Sequence, residues 1–177
     1  MRTLSKEYLD ECFIYNPETG DLVWKVRPRA HFNSDRGYNI FNTAWAGRVA
    51  GSRRLSVTTI RVGGGLYKAH RLVWKMYYGT DPDAHIDHKN RNPNDNRIEN
   101  LREATGGENQ RNAGMKSTNK SGLKGVHFNR KTSKWRASTT VDRKSVYLGE
   151  YASRERAFEA YKAGIAVLHG AFACAGD

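Results

Sequence analysis

Four residues near the middle of the chain carry side chains that could do acid–base and metal chemistry: Asp87, His88, Asn100 and Asn109. Hydrolysis by an activated water needs a base for the nucleophile and positive charge at the leaving group. A neutral imidazole can take a proton near pH 7. A carboxylate and an amide oxygen are hard donors, suited to Mg2+ or Mn2+ rather than to zinc. Strict strand alternation would put Asp87 and His88 on opposite faces. Only a strand end or a twist would bring both to one ion.

The strings around these residues are more specific than the four alone. His70-Arg71-Leu72-Val73 is followed by IDHKNRNPNDNRIENLREAT over 86–105 and GENQRN over 107–112. In spacing and in its Asn-rich loop this stretch resembles the HNH endonuclease family, in its phage and homing-type branch. The resemblance implies a ββα-metal core of the His-Me finger kind: two antiparallel strands and a helix around one metal. It assigns His88 as general base, Asp87 and Asn109 as ligands of Mg2+ or Mn2+, and Asn100 as the residue holding the loop between the strands. It also implies duplex DNA as partner.

The surrounding pattern supplies elements to position these residues. Leu4, Tyr8, Leu9 and Cys12 recur near helical spacing. A turn at Asn16–Gly20 leads into a strand at Asp21–Val26, whereas residues 27–50 show no clean period. Ser56–Val62 and Leu66–Ala69 flank three glycines as a hairpin. His70–Tyr78 has one apolar face and is ended by Gly79 and Pro82. His85–His88 and Leu101–Thr105 read as strands. Thr105 with Glu108 has the form of a capping box that starts a helix bearing Asn109 and Asn112.

Beyond an apolar-poor stretch at 114–122 the character changes. Leu123–Phe128, Lys134–Val141 and Ser145–Gly149 read as three strands, and Ser153 opens a helix to about His169. Gly125-Val126, Trp135-Arg136-Ala137, Leu148-Gly149, Ala157 and Ala160-Tyr161 with Ala163 resemble the Apetala-type DNA-binding domain of plant ethylene-response factors. That resemblance implies an antiparallel sheet on one helix, with the open face in the major groove. By alternation Trp135, Ala137, Thr139 and Val141 face the helix. Lys124, His127, Arg130, Lys131, Arg136, Ser138, Thr140, Arg143 and Tyr147 make the candidate DNA-binding set. His127, Ser138, Thr140 and Ser145 stand where the plant domain tends to carry Arg, which shifts the expectation toward phosphate and shape contacts.

Composition fits a polyanionic partner. The 177 residues carry a formal charge of +12. Residues 1–80 hold 13 basic and 6 acidic residues, 81–113 hold 5 and 7, and 114–177 hold 12 and 5. Two basic flanks therefore enclose a slightly acidic centre. No run approaches the roughly 20 apolar residues of a membrane span. The N-terminus shows no signal core, so a cytoplasmic location, in the host cell if phage-encoded, is the expectation. Cys12 and Cys174 form no CxxC pair.

The expected architecture is α+β. Residues 1–113 hold N-terminal elements plus a nuclease core at about 66–113, 114–122 a linker, 123–170 the DNA-binding module and 171–177 a tail. The expected function is a divalent-metal-dependent DNA endonuclease, nicking one strand per site. The alternative is a non-catalytic DNA-binding regulator on a nuclease scaffold, and RNA as target is a weaker third reading. Arg27, Arg29, Arg48, Arg53 and Arg54 are candidate DNA contacts from charge alone. Target sequence, cut position and oligomeric state are left open by the sequence.

Overall fold

The computed structural model describes residues 4–52, 57–115 and 117–176. Arg53 and Arg54 lie outside the described residues, as does the start of the expected strand at Ser56. The chain divides into two compact units, Met1–Glu103 and Ala104–Asp177. Both mix helix and strand, giving an α+β chain.

The first unit opens with helix α1 (Lys6–Cys12), capped by the Ser5 hydroxyl on the Tyr8 N–H. Strands β1 (Phe13–Tyr15) and β2 (Leu22–Trp24) form an antiparallel hairpin. Helix α2 (Asp35–Trp45) follows within the segment that shows no period in sequence. It buries no residue fully, although Tyr38, Phe41 and Trp45 recur at helical spacing along it and Phe41 packs against the core; its start comes from Ser34, whose hydroxyl accepts the Gly37 N–H. Strands β3 (Thr59–Val62) and β4 (Gly65–Lys68) make a second antiparallel hairpin. Helix α3 (Ala69–Tyr78) ends at Gly79, whose φ of 83° is the left-handed cap a glycine adopts without strain. Strands β5 (His85–His88) and β6 (Leu101–Ala104) pair as a third two-stranded sheet.

One core joins these pieces: Leu9, Phe13, Leu22, Trp24, Ile60, Val62, Leu72, Val73, Ile86 and Leu101 are all buried. Three small sheets bury little area each, so the common core is what makes them a unit. Arg27 is also buried. Its guanidinium lies 4.8 Å from the Phe32 ring centre and 4.9 Å from that of Phe41, and it donates to the Tyr8 hydroxyl at 2.9 Å. A cation in an aromatic box is a packing element, so Arg27 is not a surface grip on DNA. Lys75 is likewise turned inward, onto Asp81 at 2.7 Å.

The second unit starts at the end of β6 and contains helix α4 (Gly106–Asn112). Its capping box is complete: Thr105 accepts the Glu108 N–H, and Glu108 accepts the Thr105 N–H. Strands β7 (Val126–Asn129), β8 (Lys134–Val141) and β9 (Lys144–Tyr151) form an antiparallel sheet in that order. Helix α5 (Arg154–His169) packs on it through Ala157, Tyr161 and Ile165, against Val126 and Ala137. Gly125 lets the chain pass Tyr161, since a Cβ there would fall 2.0 Å from the ring. The β8–β9 turn puts Asp142 at φ 47° and Arg143 at φ 64°, the sign a tight hairpin demands of both central residues. No helix among the described residues is long and apolar enough to cross a membrane.

Candidate active site

Strand β5 is covered on both faces at its end: Ile86, Asp87 and His88 are all buried. Ile86 joins the core. Asp87 is 4 % exposed, and a carboxylate so far from water needs a countercharge. Arg102 supplies it from the paired strand β6. Its Nε and Nη2 lie 2.8 Å and 2.7 Å from the same oxygen, Oδ2. His88 is similarly enclosed. Its Nε2 lies 3.1 Å from Oδ1 of Asn96, itself buried.

Behind His88 the His70 ring stands edge-on, with centroids 5.1 Å apart. His70 is buried and its Nδ1 has no hydrogen-bond partner among the described residues. Burial, helped by the neighbouring His88, Lys68 and Arg71, pushes its pKa down from 6.5 to about 3, so it stays neutral. It is a packing wall behind His88.

The loop from Lys89 to Asn100 is built from its own side chains. Pairing continues past β5 through Lys89 N–H to the Asn100 carbonyl, 2.9 Å. The Asn100 amide accepts the Asn90 N–H at 3.0 Å and donates to Asn90 Oδ1 and the Asp95 carbonyl. Asn90 and Asn92 accept backbone N–H groups two residues on, the local turn that Asn makes readily. Arg97 grips Asp95 through two bonds, 2.8 Å and 2.7 Å, and holds that carboxyl well below its usual range, at about 2.

The N-terminal hairpin braces this loop from outside. The Tyr15 hydroxyl accepts the Ile98 N–H at 2.9 Å and donates to the Asn96 carbonyl at 3.3 Å. Gly20, at φ 76°, presses on the same stretch. A Cβ there would come within 2.4 Å of the Arg97 nitrogen. The Thr58 hydroxyl reaches Asn94 Oδ1 at 2.7 Å.

Asp87, His88 and Asn100 therefore come together in the first unit. Asn109 lies on the exposed surface of α4, in the second. Asn96, Arg102 and Tyr15 were not singled out by sequence. Asn96 is one of five Asn in 85–105, and burial, which it shares with Asn100, separates it from Asn90, Asn92 and Asn94. Asp87 in the first unit offers a carboxylate and Asn109 in the second an amide oxygen, each by itself a hard donor of the kind that suits magnesium or manganese. Among the described residues no cluster of three or more His, Cys, Asp or Glu could hold a metal, which leaves no thiolate or imidazole cage of the zinc kind.

On the strands of the β7–β9 sheet His127, Thr140 and Tyr147 are exposed, and Arg130, Lys131 and Arg143 are exposed in the turns between them. Two features alter the basic face read from sequence. Arg136 is paired with Glu150 at 2.9 Å while lying 5.4 Å over the Tyr147 ring, so an acid sits among the bases. Lys124 turns its amine to the carbonyls of Arg111 and Ala113 at the end of α4. Ser138 is half-buried, opposite Tyr147.

Residues 67–111 match the HNH endonuclease family. Protein 3.8 of Escherichia phage T7 is 37 % identical over 82 residues, covering 44 % of this chain and 68 % of that protein. The chain belongs to the HNH endonuclease family. No solved structure matches it.

Proposed function

We propose that the chain is a divalent-metal-dependent DNA endonuclease cutting at Asp87 and His88. The observation that carries this reading is the buried pair at the end of β5, a carboxylate and an imidazole side by side within the family segment. His88 takes the proton of the attacking water. The water oxygen bonds to phosphorus, the bond to the 3′ oxygen breaks, and that oxygen is protonated from solvent. Asp87 and Asn109 would hold Mg2+ or Mn2+, which when bound supplies positive charge to the phosphate and the leaving oxygen. Arg102 fixes the Asp87 carboxylate, and Asn100 holds the loop that carries Asn96.

The module at 123–170, with 114–122 as linker and 171–177 as tail, anchors duplex DNA through its open face in the manner of the Apetala-type domain. His127, Arg130, Lys131, Arg136, Ser138, Thr140, Arg143 and Tyr147 are the proposed contacts; the Lys124 amine, held at α4, is a weaker candidate. One site cuts one strand, so a single copy nicks.

The test is conversion of supercoiled plasmid to nicked circle with Mg2+ or Mn2+, against EDTA and against His88→Ala. Equal cutting by the variant would overturn the assignment. The second reading, a non-catalytic DNA-binding regulator, rests on Arg102 neutralising Asp87. Salt-sensitive duplex binding without cutting in any divalent ion would select it.

A further inference from the structure

We infer that Asn129 and Arg136 form a phosphate cradle on the β7–β9 sheet, and that Glu150 fills it until duplex DNA displaces the carboxylate. The inference rests on the reading of 123–170 as a DNA anchor and gives that anchor a site and a threshold. Register puts His127, Arg136 and Glu150 in one row across the three strands, so their side chains share a face. Tyr147, three residues before Glu150, would by strict alternation lie on the other face. The register slips between Ala137 and Ser138: Ala137 pairs with Gly149, at φ 125°, and Ser138 pairs with Tyr147. Leu148 is the extra residue of this bulge. The slip brings Tyr147 back to the side of Arg136, whose guanidinium lies 5.4 Å over its ring.

Three donors converge there on one atom. Arg136 Nε at 3.0 Å, Arg136 Nη2 at 2.9 Å and Asn129 Nδ2 at 2.7 Å all reach Oε1 of Glu150. A phosphate oxygen carries the same sign of charge as a carboxylate and takes the same charge-assisted bonds. The Arg136 side chain is partly exposed, so a phosphate can reach it. Arg130, Lys131 and Arg143 are exposed in the turns between these strands. A lone phosphate must drive out a bonded carboxylate by itself. A duplex already held by the turn cations delivers its next phosphate at high local concentration. Glu150 therefore selects against single, passing contacts.

The test is binding of the full-length protein to a short duplex of random sequence in EDTA, titrated over salt. Glu150→Gln keeps an acceptor in place and removes the charge. It is expected to bind about two- to fivefold tighter at low salt, the span of a released exposed ion pair, with a salt slope steeper by about one. Glu150→Ala, which empties the cradle, should gain as much. In an Arg136→Ala background the gain from Glu150→Gln should fall to that of Glu159→Gln, which removes an equal charge from α5 on the other side of the sheet.

Weaker or unchanged binding by both Glu150 variants would overturn the inference. So would a gain that Glu159→Gln matches, or one that survives the loss of Arg136. Those results leave the DNA anchor standing. Absence of duplex binding by the parent and by every variant would instead bring down the anchor reading, and the cradle with it.

Discussion

Two carboxylates, Asp87 and Glu150, each meet an arginine from the neighbouring strand, in settings that differ in access to water. The Asp87 and Arg102 side chains are 5 % and 16 % exposed, those of Glu150 and Arg136 13 % and 41 %. Around Asp87 everything nearby is fixed: His88 by Asn96, the loop by Asn100, Asn96 by Tyr15. Breaking a buried pair leaves a bare charge and is costly, which suits a site whose atoms must not wander. At Glu150 the carboxyl is held below its usual range, first by the Asn129 amide and then by Thr132 and Arg136. There the arginine faces solvent, and a phosphate or a base edge can take it over at small cost. One region is built to hold its geometry, the other to exchange partners.

The largest expected effect falls on the fixed region. His88→Ala should slow cleavage about 10²- to 10⁴-fold while duplex binding, measured by gel shift in EDTA, stays unchanged. A matching loss of binding would mean that the two regions do not divide the work. Gly20→Val comes next. It strains a positive φ and drives a side chain into the Asn96–Arg97 backbone. A loss of more than about 2 kcal/mol of stability in urea is expected.

His70 gives a signed pH test. The unfolded chain binds a proton near 6.5, whereas folded His70 does so only near 3. Stability from this residue is complete above about pH 6.5 and declines as pH falls toward 3, because unfolding then takes up a proton. His70→Phe should flatten that part of the urea-midpoint profile, and an unaltered slope would refute the account.

Smaller effects belong to the exchanging region. Arg136→Ala should weaken duplex binding by about tenfold or less and lower the salt slope by about one, with the cleavage rate at saturating DNA unchanged. Smallest of all, Arg143→Gly relieves a left-handed backbone at φ 64°. It should raise the unfolding midpoint by about 1 kcal/mol equivalent and leave Asp87 chemistry untouched.

Most elements were legible because their signals are local. The glycine turn between β3 and β4, the Gly79 stop and the Thr105–Glu108 box each work over a few residues. Helix α2 was not: Tyr38, Phe41 and Trp45 do recur at helical spacing, but Gly37, Asn39 and Asn42, poor helix formers, stand between them. In the site, Asp87, His88 and Asn100 stand out by family spacing. Tyr15 acts over long sequence distance and looks like any strand Tyr, and Asn96, close to His88 in sequence, looks like any loop Asn. Charge was the most misleading signal: Arg27 and Lys75 count as basic in the chain yet point inward.

The aromatic box around Arg27 bears on how the protein would meet DNA. Sequence charge sets an upper limit on the field that steers a polyanion, and each cation locked inside the fold is withdrawn from counter-ion exchange at the surface. The salt dependence of DNA binding should therefore be shallower than thirty basic side chains would imply. Neutralising Arg27 should change the melting temperature and leave the association rate as it was.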